Sequence, residues 1–215
     1  MDIHITRHIG AVTRQVEDGE REGRPTRKVR ADRTYDTTVE DLWSALTDPA
    51  RIPRWFLPIG GDLRLGGRYQ LEGNAGGEIT ACEPPDHLAL TWEFGEQLSW
   101  VEVRLSPHAD DPDGRTRLQL EHTAPVDEHW DEFGPGAVGI GWELSLLGLA
   151  LHLESGAGVE PALVAAWVGT EEAKEFMRRS SDGWRRADVD AGTPEPQARA
   201  AAERTTQAYT AGEDP

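Results

Sequence analysis

The stretch Gly134–Glu154, GPGAVGIGWELSLLGLALHLE, decides how the chain is read. It opens with Gly134-x-Gly136-x-x-Gly139, the spacing of a dinucleotide-binding fingerprint. That fingerprint needs an apolar strand feeding the glycine turn, and a second strand with an acid about 20 residues further on. The residues before it, VDEHWDEF, are no buried strand, and no parallel-strand pattern follows. The glycines therefore read as a helix opening and a place of close packing. The spacing predicts a long helix from about Val138 to Glu154. Placed at about 100° per residue, Trp142, Leu146, Leu149 and Leu153 form one stripe. Ile140, Leu144, Leu147 and Leu151 form a second, nearly opposite, with Gly141, Ser145, Gly148 and His152 between them. A helix apolar on two faces must be covered on two faces. Ala162–Trp167 and Phe176–Trp184 are the expected second cover, and a partner subunit is the rival one.

Upstream the period is two. GGRYQLEG puts Tyr69 and Leu71 on one face, and HLALTWEF sets Leu88, Leu90, Trp92 and Phe94 against Ala89, Thr91 and Glu93. SWVEVRLS aligns Val101, Val103 and Leu105, and TRLQLEHT aligns Leu118, Leu120 and His122. One apolar face and one charged face make an antiparallel meander with a solvated side. Before it, Thr37-Thr38-Val39-Glu40 offers a capping box. Val39, Leu42, Trp43 and Leu46 then follow at helical spacing. Asp48-Pro49 starts a second short helix that ends near Pro58. Residues 10–36 read as two polar strands around a turn at Glu22–Pro25. Thr193-Pro194-Glu195 begins a last alanine-rich helix.

Composition narrows the function. The net charge is −17 over 215 residues. An acidic surface repels phosphate backbones, so nucleic-acid binding is not expected. Residues 1–36 depart from that balance, with eight basic residues against seven acids. The single cysteine, Cys82, excludes an intramolecular disulfide and any multi-cysteine metal site. No run of 18 uncharged apolar residues suggests a membrane span. The opening residues lack the pattern of a signal peptide. A cytoplasmic protein with no cofactor and no metal is the expectation.

The order of strand, two short helices, antiparallel strands and a long late helix is a helix-grip arrangement. The stretches TVEDLWSALTDPARIPRWF, GGRYQLEG, GEITACEPPDHLALTWEF and GWELSLLGLALHLE together resemble the bacterial homologues of the heat-shock-protein-90 ATPase activator. These belong to the START-like, polyketide-cyclase-like (SRPBCC) superfamily. The resemblance spans about residues 27–155. It implies an α+β, birch-allergen-like fold: a curved antiparallel sheet around the long helix, with an apolar cavity between them. Expected divisions are an N-terminal polar hairpin over 1–26, the START-like domain over 27–155, and a helical extension over 156–215 packing on the long helix.

Eight tryptophans in 215 residues suit such a cavity as well as a core. The residues expected to line it are Trp55, Tyr69, Leu71, Trp92, Val103, Leu120, His122, Trp142 and Leu146. The leading expectation is a non-catalytic or regulatory protein that binds a small hydrophobic ligand. The first alternative is an aromatase/cyclase-type enzyme, in which His122 moves a proton and Tyr69 orients the substrate. The second is a co-chaperone-like protein acting by its surface, with a chaperone or another copy as partner. His129 lies among acids in VDEHWDE, but without metal-ligand spacing.

Overall fold

A computed structural model describes residues 3–159 and 161–211. In chain order the elements are α1 (Ile5–Gly10), β1 (Val12–Arg21), β2 (Arg24–Tyr35), α2 (Val39–Thr47), a 3₁₀ turn (Ile52–Arg54), β3 (Ile59–Gly61) and β4 (Arg68–Leu71). Then come β5 (Gly76–Glu83), β6 (His87–Phe94), β7 (Gln97–His108), β8 (Asp111–Pro125) and α3 (Glu128–Phe133). The chain closes with α4 (Gly136–Ser155), α5 (Pro161–Val168), α6 (Glu171–Asp190) and α7 (Glu195–Thr210). The strands form one eight-stranded sheet in the order β1-β2-β8-β7-β6-β5-β4-β3.

Two compact units share the chain. The first holds residues 1–31, 125–144 and 160–215, and the second holds 32–124 and 145–159. Both β2 and α4 run from one unit into the other.

In the first unit the glycine-rich opening of α4 meets α6 and α7. A methyl group placed on Gly139 would lie 2.3 Å from the indole of Trp184, so only glycine allows that ring its place. Gly136 faces Thr205, and Gly134 faces Ala201. Thr205 donates from Oγ1 to the Phe133 carbonyl (2.6 Å), and Tyr209 donates to the Ala137 carbonyl (2.8 Å). The α6 face toward this core carries Phe176, Met177, Ser180 and Trp184, all buried. That is the i, i+4, i+8 face visible in the sequence. A charged tie adds to the packing. Arg14 on β1 grips Glu143 of α4 through Nε (2.7 Å) and Nη2 (2.6 Å). The Glu143 side chain is fully buried. This two-pronged geometry gives each oxygen of the buried carboxylate a charged donor.

In the second unit antiparallel pairing links each strand to the next from β3 to β8, with register shifts between Ile79 and Ala81 and between Pro107 and His108. Tyr35 donates to the Leu146 carbonyl (3.1 Å), which ties the last residue of β2 to α4. A methyl on Gly148 would meet the Trp55 carbonyl at 2.5 Å, so the 3₁₀ region presses against that turn of α4. Gly156, at φ 66°, ends α4 in the left-handed conformation that suits glycine.

Three local expectations shift. The cap of α2 is Thr38, whose hydroxyl accepts from Asp41 N (3.3 Å). Thr37 instead hydrogen-bonds the Asp41 carboxylate (2.7 Å), so the helix begins one residue later than a capping box would place it. After Asp48 and Pro49 the chain makes only the 3₁₀ turn Ile52–Arg54, because Trp55 sends its indole N–H back to the Ala45 carbonyl (2.9 Å). The loop before α4 contains α3, capped by Asp127, which accepts from Trp130 N (2.9 Å).

Candidate functional site

The inner face of the second unit's sheet is built by alternation. Leu88 stands opposite Val103 and Leu90 opposite Val101. Val103 in turn stands opposite Leu120, and Val101 opposite His122. Directly opposed residues share a face, so these side chains form one apolar sheet surface. Tyr69, Leu71 and Ile79 close into a buried cluster at its β4–β5 side. Around that cluster stand Phe56, Leu57, Ile59, Leu63, Leu88 and Trp92, all only partly buried, and Leu90 and Cys82 complete the rim.

One polar chain crosses this surface. His122 Nε2 lies 2.8 Å from Ser99 Oγ, and Ser99 Oγ donates to the Trp92 carbonyl (3.1 Å). The serine has one proton and gives it to Trp92. Nε2 is therefore the protonated nitrogen, donating to Ser99. Burial pushes the His122 pKa down to about 4, so the ring is neutral at pH 7. A serine whose neighbouring imidazole donates to it is not activated as a nucleophile. Tyr69 sends its hydroxyl to the Thr91 carbonyl (2.8 Å), and burial raises its pKa above the usual tyrosine range. Tyr35 is raised by burial in the same way. The Arg33 guanidinium of β2 lies 5.1 Å from the Tyr35 ring centre.

Tyr69, Leu71 and Trp92 meet in the cluster just described. Val103, Leu120 and His122 continue the same sheet face. Trp55 stacks on Phe56 (5.4 Å between ring centres), and Phe56 reaches the cluster. Leu146 is buried in the second unit's part of α4. Trp142 belongs to the first unit and is half-buried there. Ser99, Cys82 and the Phe56–Leu63 stretch are additions to the expected set. Ser99 was legible, since it shares the parity of Val101 and Val103. The Phe56–Leu63 stretch has no period to reveal its facing. Among the described residues no group of three or more His, Cys, Asp or Glu side chains could hold a metal ion. Among those residues α4 is also the one helix long and apolar enough to cross a membrane, and half of its apolar window is buried within the protein.

The sequence model of the family described as "Activator of Hsp90 ATPase homolog 1-like protein" matches residues 36–154, more than half of the chain. The chain belongs to this family. A mouse protein, "Activator of 90 kDa heat shock protein ATPase homolog 1", is 28% identical over 102 residues. That match covers 45% of this chain and 29% of the mouse protein, so the chain spans under a third of that relative. CalU16 from Micromonospora echinospora is similar along nearly its whole length. Its crystal structure is 31% identical with a TM-score of 0.66, covering 82% of this chain and 98% of CalU16. Its solution structure is 34% identical with a TM-score of 0.68, covering 85% and 97%. The fold is accordingly α+β and helix-grip, with the helical extension beyond the long helix.

Proposed function

We propose that the inner sheet face of the second unit receives a small, uncharged, hydrophobic ligand, and that the protein acts by binding it rather than by transforming it. The observation that carries this reading is the incomplete closure around Tyr69, Leu71 and Ile79. Phe56, Leu57, Leu88, Leu90 and Trp92 pack on that cluster yet stay only partly buried. Covering such surface is favourable by about 25 cal/mol per Å² of apolar area. The polar groups on the face do not call for a charged ligand. His122 is neutral, and both His122 and Tyr69 spend a hydrogen on the protein itself. That commitment weighs against the aromatase/cyclase reading. The single cysteine supports a reducing, cytoplasmic setting.

The test uses the full chain. Native mass spectrometry of freshly purified protein should show a co-purified apolar molecule. The neutral fluorophore N-phenyl-1-naphthylamine should bind saturably, and Leu90→Glu should abolish that binding without unfolding the protein. Binding that survives Leu90→Glu would place the ligand elsewhere. Absence of both signals would remove the reading. Family membership supports a second role, association with an Hsp90-type chaperone. Sedimentation of this chain with a purified bacterial Hsp90 separates the two roles.

A further inference from the structure

The alternating charges of β6, β7 and β8 read from sequence as a solvated outer face. At one end of that face the surface is concave. Glu83, Asp86 and His87 line one side of a cavity of about 260 Å³. Arg104, Ser106 and Arg117 line the other, with Gln119 beside them. All of these belong to the second unit.

The register shows how the cavity forms. Leu105 N–H donates to the Asp86 carbonyl (2.8 Å), which holds the β5–β6 turn against β7 past the end of β6. His87 stands opposite Arg104, Arg104 opposite Gln119, and Ser106 opposite Arg117. Charge is sorted across the strand order. The carboxylates come from the end of β5 (Glu83) and the β5–β6 turn (Asp86), and the guanidiniums come from β7 and β8.

The sorted charges are not used up by their neighbours. Arg117 Nη2 holds Asp32 (2.8 Å), and Arg104 Nη2 holds Glu102. Neither carboxylate lines the cavity. Each guanidinium has five N–H donors, so most remain for another acceptor. His87 is spoken for, between Glu102 (2.8 Å) and Glu83 (3.5 Å). The Asp86 carboxylate takes no cation among the described residues. A metal ion does not fit this acidic end, because no group of three or more ligating side chains converges among those residues. The complement is an organic cation at one end and an organic anion at the other.

We propose that this cavity binds a small zwitterion, its ammonium toward Asp86 and Glu83 and its carboxylate toward Arg104 and Arg117. Neighbouring strands lie about 4.8 Å apart, so the turn and β8 are roughly 10 Å apart across two spacings. Side chains reaching in from both ends leave room for a ligand whose charges are several ångströms apart. That separation suits a dipeptide or an ω-amino acid better than an α-amino acid. Exposed charge pairs are individually weak, so either end alone holds poorly and the two together select the ligand. This site lies on the sheet face opposite Val103 and Leu120, and it stands whether or not the apolar face binds anything.

The test titrates the ¹⁵N-labelled full chain with 6-aminohexanoate, hexanoate and hexylammonium. The zwitterion should give saturable millimolar shifts confined to residues 83–87, 104–106 and 117–119. Each half-ligand should bind at least tenfold more weakly. Asp86→Asn and Arg117→Gln should each weaken 6-aminohexanoate several-fold, with Arg104→Gln in reserve should Arg117→Gln unfold. No saturable shift at those residues overturns the proposal. Equal binding by hexanoate alone overturns it too, because the site would then be a simple anion site.

Discussion

Gly139 and Leu90 stand for two ways of treating an apolar surface. At Gly139 the chain covers its own helix so closely that a methyl group has no room beneath Trp184. At Leu90 the neighbouring side chains close only the cluster beside it and leave the leucine partly accessible. Small residues let an internal cover approach to contact distance. A row of large residues facing a few partners leaves surface for an external one. The first unit is therefore expected to answer mutation in stability, and the second in binding.

The largest loss is expected in the first unit. Trp184→Ala should cost about 3–5 kcal/mol, as removal of a buried aromatic does. Gly139→Ala sharpens the point through its sign. In an open helix that change stabilises by about 1 kcal/mol. Here it should destabilise by about 1–3 kcal/mol, as overpacking does. In a Trp184→Ala background much of that penalty should vanish, since neighbours sharing one space couple. Urea unfolding of the four proteins in the cycle measures this. An additive cycle would break the contrast with Leu90.

Nearly as large an effect is expected at the buried ion pair. Glu143→Ala strands the Arg14 guanidinium and should cost about 3–5 kcal/mol. The double variant Arg14→Met, Glu143→Leu should recover most of that loss, because the pair's attraction is offset by its desolvation. If the double variant is as unstable as Glu143→Ala, the pair contributes more than burial without charge can replace.

In the second unit the largest stability effect is expected with acid. The folded-state pKa of His122 is about 4, below the ordinary histidine value of 6.5. The unfolded chain then binds the extra proton between those values, so stability is full above pH 6.5 and falls as the pH drops toward 4. The shift corresponds to about 3 kcal/mol at most. His122→Gln should flatten this part of the pH–stability curve, whatever it does at pH 7. A variant whose acid limb matches the parent would mean that other groups govern it.

How much of this was legible in the sequence follows the same division. The period-two strands placed Tyr69, Leu88, Leu90, Trp92, Val103, Leu120 and His122 on one face, and the pairing register agrees. The Phe176–Ser180–Trp184 face of α6 was equally visible. Irregular segments were not. The Phe56–Leu63 wall follows a 3₁₀ turn, where no period fixes which way a side chain points. The glycine run carried its information as geometry, not as a motif. It marked a close approach, but only the fold could name Trp184 and Thr205 as the residues approaching. The outer-face cavity was hidden for another reason. Alternation gives the face of Arg104 and Arg117, but not the turn that Leu105 N–H draws against β7.

The smallest stability effect tests the open half most directly. Phe94 continues the Leu90–Trp92 face to the hairpin tip, where it is 54% exposed. An aromatic so exposed adds little to folding, and Phe94→Ser should change stability by no more than about 0.5 kcal/mol. If apolar molecules reach the inner face past that tip, the same change should slow N-phenyl-1-naphthylamine association several-fold in stopped-flow fluorescence. Dissociation should slow in proportion and leave affinity nearly unchanged, since a residue at the mouth alters passage both ways. A drop in affinity with unaltered association would instead place Phe94 in the site itself. If neither rate moves, the β6–β7 tip is not the way in, and access is to be sought near Leu65, which is 62% exposed beyond β3.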